Sequence, residues 1–237
     1  MGESEGGGGG GGGRGRMEER LLEAAIRGSK ELFNKIREED GMILEKMVMG
    51  CFKRNPPLHV AASRGDTEFV RYLLTLSEKK LVQVRDSQHR SALHVASAEG
   101  HVQVVKILIQ ANPHMCMARD REGRNPLHLA AMNGRVRVLP KLIRTAPHAA
   151  RARVDGGDTI LHLCVKYNQL RALLLLLRKI PSPDFVNAKD DDGNTILHLA
   201  VSAKQLRVCP FSSKINKTLG IQIFIIFIGF PIRARRL

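Results

Sequence analysis

Residues 124–134 read RNPLHLAAMNG, and four other stretches repeat that text: NPPLHVAASRG at 55–65, RSALHVASAEG at 90–100, DTILHLCVKYN at 158–168 and NTILHLAVSAK at 194–204. The Leu-His pairs at their centres are Leu58-His59, Leu93-His94, Leu127-His128, Leu161-His162 and Leu197-His198, separated by 35, 34, 34 and 36 residues. A period held that closely marks an architecture of stacked supersecondary units. It predicts an all-α solenoid in which each unit contacts its neighbours, rather than a fold around one central core.

Residues 120–143 show what each position does. Asp120-Arg121-Glu122-Gly123 is turn chemistry, with Asp bonding its own backbone and Gly supplying positive φ. Asn125-Pro126 opens a helix, since Asn caps well and Pro at the first helical position gives up an amide that would be unpaired anyway. Ser91, Thr159 and Thr195 stand at the same place in other units. Leu127, Ala130 and Ala131 follow at helical spacing, and Gly134 ends the helix as a left-handed cap. A second amphipathic helix is expected over 136–143, kinked or started late by Pro140. Gly65 and Gly100 close first helices elsewhere, while Asn168 and Lys204 replace Gly in the last two units. Residues 170–177 form the most apolar second helix and are expected to be the best buried.

These stretches resemble the ankyrin repeat, whose signature is T-P-L-H-x-A with Gly closing the first helix; the resemblance covers residues 17–208. It implies about six units of helix-turn-helix joined by β-hairpin-like turns, the first degenerate and the last incomplete. Within that class the cap LLEAAIRGSKELFNKI and the unit DDDGNTILHLAV resemble plant ankyrin proteins ending in a PGG domain and membrane-spanning helices. That resemblance implies signalling in plant defence. The PGG motif and a full-length spanning segment are absent from the sequence, so truncation before that region is the expectation.

In chain order, residues 1–16 are a glycine-rich tract that cannot build a core and are expected to be a disordered tail. Gly6 stands where an N-myristoylation pattern wants Ser or Thr, and no apolar run follows Met1 to make a secretory signal. Residues 18–36 read as an N-terminal cap, with Leu21 to Gly28 matching Leu58 to Gly65 at an offset of 37. Residues 38–50 are a longer connection. The repeat domain spans 17–208, and 209–237 is a non-repeat apolar and basic tail opened by Cys209-Pro210. Its apolar run, 219–232, has 14 residues, where a spanning helix needs ~20. Its Ile and Phe content, with Gly229 and Pro231 near its end, favours a strand or an aggregation-prone segment over a helix.

Of the residues, 43% are hydrophobic, an ordinary share for a folded domain. Cys51, Cys116, Cys164 and Cys209 are widely spaced without a Cys-x-x-Cys pair, which fits free thiols in the cytoplasm better than a disulfide framework. The net charge of +15 raises nucleic acid or an anionic membrane as partners. The basic residues are spread singly along helices (Arg71, Lys106, Lys141, Arg178) without stacking aromatics, which argues against nucleic acid. An apolar run followed by Arg233, Arg235 and Arg236 leaves peripheral contact at the cytoplasmic face of a membrane open.

No nucleophile elbow, phosphate loop or paired Cys-His site is legible, so no catalytic or cofactor role is expected. Metal-binding histidines come at short spacings, whereas His59, His94, His128, His162 and His198 fall one per layer, ~10 Å apart. They are expected to tie hairpins to neighbours. The chain then reads as a monomeric adaptor that binds another protein along the concave face of hairpin tips and first helices. The variable positions on that face are Lys53 and Arg64, then Gln88, Arg90 and Glu99, then Arg121, Glu122, Arg124, Met132 and Asn133. Asp155, Asp158, Lys166 and Tyr167 follow, with Asp191, Asp192 and Asn194 last. The early units are mainly basic and the late ones mainly acidic. This predicts a partner segment of mixed charge, with Met132 and Tyr167 as apolar anchors.

Overall fold

The computed structural model describes residues 11–52, 54, 56–202, 207–208 and 226–227, with side chains over 15–52, 54 and 56–202. Among the described residues the regular structure is helical, α-helices with three short 3-10 helices, apart from one two-residue ladder in which Arg207 lies opposite Phe227 and Val208 opposite Ile226, antiparallel. The chain divides into two compact units, residues 1–96 with 101–115, and residues 97–100 with 116–237.

In the first unit, α1 (Gly11–Arg27) and α2 (Lys30–Glu39) form a helix pair, and α1 packs on α4 (Pro57–Arg64). A short α3 (Ile43–Val48) lies between the pairs, so the expected connection at 38–50 contains a helix of its own. Ile43 and Met47, four apart, bury one face of it, and that burial stabilises a segment too short to hold by propensity alone. Helix α1 starts at Gly11, inside the stretch expected to be tail. Once Leu21, Ala24 and Ala25 are packed, each added residue needs only one further bond. Helix α4 pairs with α5 (Thr67–Leu76), which packs on α7 (Val102–Ala111). Phe69, Val70 and Leu73 on α5, and Val104, Val105 and Leu108 on α7, are fully buried at helical spacing. Phe33, Phe69 and Tyr72 cluster with centroids 6.0–6.1 Å apart, joining α2 to α5.

Helix α6 (Ala92–Glu99) begins in the first unit and its last turn belongs to the second. In the second unit, α8 (Pro126–Met132) pairs with α9 (Leu139–Thr145), and α10 (Ile160–Lys166) with α11 (Leu170–Lys179). A single turn, α12 (Pro183–Val186), precedes α13 (Ile196–Ser202). Helix α10 packs on α8 on one side and on α13 on the other. Pro140 is the second residue of α9, so its ring delays the helix start to Leu139 instead of kinking it. The apolar α11 is less buried than its composition predicts. Leu173, Leu176 and Leu177 face the core, but Leu170, Leu174 and Leu175 are half-exposed, because an outer helix has only one packed face.

Candidate protein-binding face

The tips at residues 86–90, 120–124 and 190–194 are each built on one aspartate. Asp120 Oδ1 accepts from the backbone amides of Glu122 (3.0 Å) and Arg124 (2.9 Å), while Arg124 Nε donates to Oδ2 at 2.8 Å. Asp86 does the same for Gln88 and Arg90 in the first unit, with Arg90 Nε donating at 2.8 Å. Asp190 accepts from the Asn194 amide at 2.7 Å. Residues 154–158 keep the turn with Val154 in that place, and there Arg153 Nη1 donates to Gly157 O at 2.9 Å.

In the second unit the tips are joined by main chain. The Asp155 amide donates to Glu122 O (3.3 Å) and the Asp191 amide to Gly156 O (3.2 Å). Arg119 Nη1 donates to Arg153 O at 3.1 Å, and Arg153 reaches Lys189 O. The tips therefore form one ledge, edged by the exposed residues Arg121, Glu122, Asp155, Asp191 and Asp192. Tyr167, at the end of α10, is 50% exposed. The cross-tip arginines were not among the expected functional residues. Their signal is in the sequence all the same, because Arg85, Arg119, Arg153 and Lys189 recur at intervals of 34, 34 and 36.

The other expected contact residues fall into different places. Arg64 and Gln88 are exposed in the first unit. Glu99 lies 3.7 Å from Arg135. Arg90 and Arg124 are committed to the tip aspartates and half-buried, and Arg124 also pairs with Glu122. Asn133 is exposed, yet its Nδ2 donates to Leu129 O at 2.9 Å. Lys166 Nζ donates to Asp158 Oδ2 at 2.8 Å, and Asp158 itself is buried. Asn194 lends its carbonyl to His162. Met132 is a correction. It is 8% exposed and packs with Leu129, Val154 and Leu163, because it falls one turn after Leu129 on the inward face of α8. Lys53 lies outside the described residues.

The histidines follow one scheme. The amides of Ser91, Asn125 and Thr159 donate to Nδ1 of His94, His128 and His162 at 3.1, 3.1 and 3.2 Å. Nδ1 is thus an acceptor and Nε2 carries the proton. Nε2 of His128 then donates to Ala152 O (3.1 Å), that of His162 to Asn194 O (3.0 Å), and that of His59 to Arg90 O (2.8 Å). His128 and His162 thus each complete a capping box at their own helix start and bond a following turn. His59 is the exception at Nδ1, which is buried and finds no partner among the described residues, because Pro56 has neither an amide hydrogen nor a hydroxyl to offer. Burial pushes His59 and His128 down to about 4, opposed in each by the hydrogen bond to a backbone carbonyl. His198 makes the same Nδ1 contacts, from the Thr195 amide (3.2 Å) and with the Thr195 hydroxyl (2.8 Å), but it is exposed.

Burial raises the Cys116 thiol to about 11 and Cys164 further still, so neither supplies a thiolate near neutrality. Among the described residues no three His, Cys, Asp or Glu side chains converge as a metal site. No described helix is long and apolar enough to cross a membrane.

The profile of the family described as "Ankyrin repeats (3 copies)" matches residues 21–117, 58–149 and 127–211. An ankyrin repeat-containing protein of Arabidopsis thaliana is 31% identical over 103 residues, 42% of this chain and 20% of the relative. A second ankyrin repeat-containing protein of that plant is 30% identical over 59 residues, 25% and 11% of the two chains. The mitochondrial liver isoform of glutaminase from Mus musculus is 41% identical over 75 residues, 32% of this chain and 11% of that protein. The chain thus spans a fifth or less of the length of these relatives.

Proposed function

The chain belongs to the ankyrin-repeat family of protein–protein interaction scaffolds, and from that premise we propose that it is a non-catalytic adaptor binding a protein segment on its tip ledge. The observation that carries this reading is the ledge of the second unit. Tips bonded to one another through main chain hold Glu122, Asp155, Asp191 and Asp192 in fixed order with exposed carboxylates. A surface of fixed charges loses little entropy on binding, so complementary charge is turned into specificity and a fast encounter. The segment that fits is of mixed charge, its basic part over these carboxylates and an apolar side chain against Tyr167.

Reversing Arg90 or Arg124 is a poor probe, since both support the turn itself. The test is capture from nuclease-treated extract with the full chain and with the variant Asp155→Lys, Asp192→Lys, Tyr167→Ala. Thermal melts confirm that the variant is folded. A defined set of proteins held by the parent and lost by the variant is the expected result. An unchanged set would overturn the ledge as the binding face. The setting proposed with this reading is signalling, as in plant defence, at the cytoplasmic side of a membrane. The two Arabidopsis relatives support the plant part of it.

A further inference from the structure

Four arginines stand at matching places on the second helices of the second unit. Arg171 and Arg178 lie on α11, and Arg137 and Arg144 lie 34 residues earlier, in the turn entering α9 and on α9 itself. That offset is the local repeat interval, so the four occupy only two register positions. The fold does not ask for arginine at either one. The first unit carries Glu68 and Gln103 at the first position, and Thr75 and Gln110 at the second. All four arginines are exposed, and among the described residues none pairs with a carboxylate, whereas Arg90, Arg124 and Arg135 do. No Asp or Glu occurs over residues 136–154 or 159–183.

The four charges form a grid. Arg171 and Arg178 are two helical turns apart, ~10.5 Å along α11. A Cβ on Gly134 would run into the side-chain oxygen of Gln169, so the turns entering α9 and α11 lie against each other. The two rows are therefore one packing distance apart, ~10 Å. Leu174 and Leu175, between the arginines of α11, and Ile143, beside Arg144, are half-exposed, and neither helix has an aromatic residue. Without aromatics to stack on bases this face does not suit nucleic acid, and with one sign of charge it lacks the pattern that selects one protein among many. Its complement is a plane of uniform negative charge over an apolar layer. We propose that the outer face of α9 and α11 docks on an anionic phospholipid bilayer, its guanidinium groups bonded to headgroup phosphates and Leu174 and Leu175 turned into the interface. Arginine suits the role because its planar fork bonds phosphate oxygens in pairs and its aliphatic stem lies along apolar surface. The contact is peripheral, since the other face of α11, with Leu173, Leu176 and Leu177, is buried in the core. The inference rests on the membrane setting proposed above and names the surface that meets it.

Cosedimentation of the full chain with vesicles tests this, using phosphatidylcholine alone and phosphatidylcholine mixed with phosphatidylserine. The parent should bind the mixed vesicles only, and less as salt rises. Each basic residue near an anionic surface contributes about fivefold. Arg137→Gln, Arg144→Gln, Arg171→Gln and Arg178→Gln together should therefore weaken binding at least about a hundredfold. A control loses the same charge from the first unit, through Arg27→Gln, Lys35→Gln, Arg64→Gln and Lys79→Gln, and should stay within about fivefold of the parent. Both variants should melt with the parent, because every altered side chain is exposed. Equal loss in the two variants would assign binding to net charge and overturn the face, as would equal binding of the parent to both kinds of vesicle. Full binding by the first variant would overturn it too, placing the contact elsewhere in the chain and leaving the membrane setting intact. A parent that binds neither vesicle overturns the membrane setting itself.

Discussion

At Pro56 one residue explains a local fault. Ser91, Asn125 and Thr159 each give a backbone amide to the histidine three residues on, and Pro56 cannot. The His59 Nδ1 left behind is buried with no bond among the described residues, a condition that costs about 1–3 kcal/mol. The backbone at 56, φ −60° and ψ 130°, suits serine as well as proline. Pro56→Ser should therefore stabilise the chain by ~1 kcal/mol, after losing ~0.5 kcal/mol of proline's restraint on the unfolded state. Urea titration measures it, and an unchanged or lower midpoint counts against the account.

At the scale of elements, the glycines that end first helices do two jobs, and the second is invisible in sequence. Gly65 caps α4 at φ +78°, and a Cβ there would come within 2.5 Å of the His101 ring, which is held by donating to Ser63 O at 2.8 Å. Gly193 has the same sign of φ, +81°, but a Cβ there would meet nothing within 4 Å among the described residues. Gly193→Ala should cost only the left-handed penalty, ~1 kcal/mol, whereas Gly65→Ala should cost ~2–3 kcal/mol because the ring and its bond must also move. Equal losses in thermal or urea unfolding would show that close packing at Gly65 is unimportant. Reading Gly as a helix stop was possible from the repeat text, as was the late start of α9 from Pro140. The approach of His101 was not, since it depends on how the next helix pair docks.

Over the whole molecule, two imidazoles buried in neutral form tie stability to pH. His59, faced by Asp86, Arg90 and Arg85, and His128, near Arg119, Asp120 and Arg124, are lowered from 6.5 to about 4. The unfolded chain takes up protons first, so stability is full above pH 6.5 and falls as pH drops through 4. The loss is at most ~3 kcal/mol for each imidazole. Melting temperature should be level from pH 7 to 8 and decline steadily from 6.5 to 4. A profile flat down to pH 4.5 would contradict it. The repeat period, the helix caps and the structural place of the Leu-His pairs were determined by the sequence, because they depend on chemistry that recurs locally at a fixed interval. The site was legible only in outline. Glu122, Asp155, Tyr167, Asp191 and Asp192 stand on the surface as their register implies, but Met132 and Asp158 are buried and Arg90 and Arg124 are tied to turns. A position that varies between units can face either a partner or the neighbouring unit. Only tertiary packing, which sets the side that each helix turns to its neighbour, decides between the two.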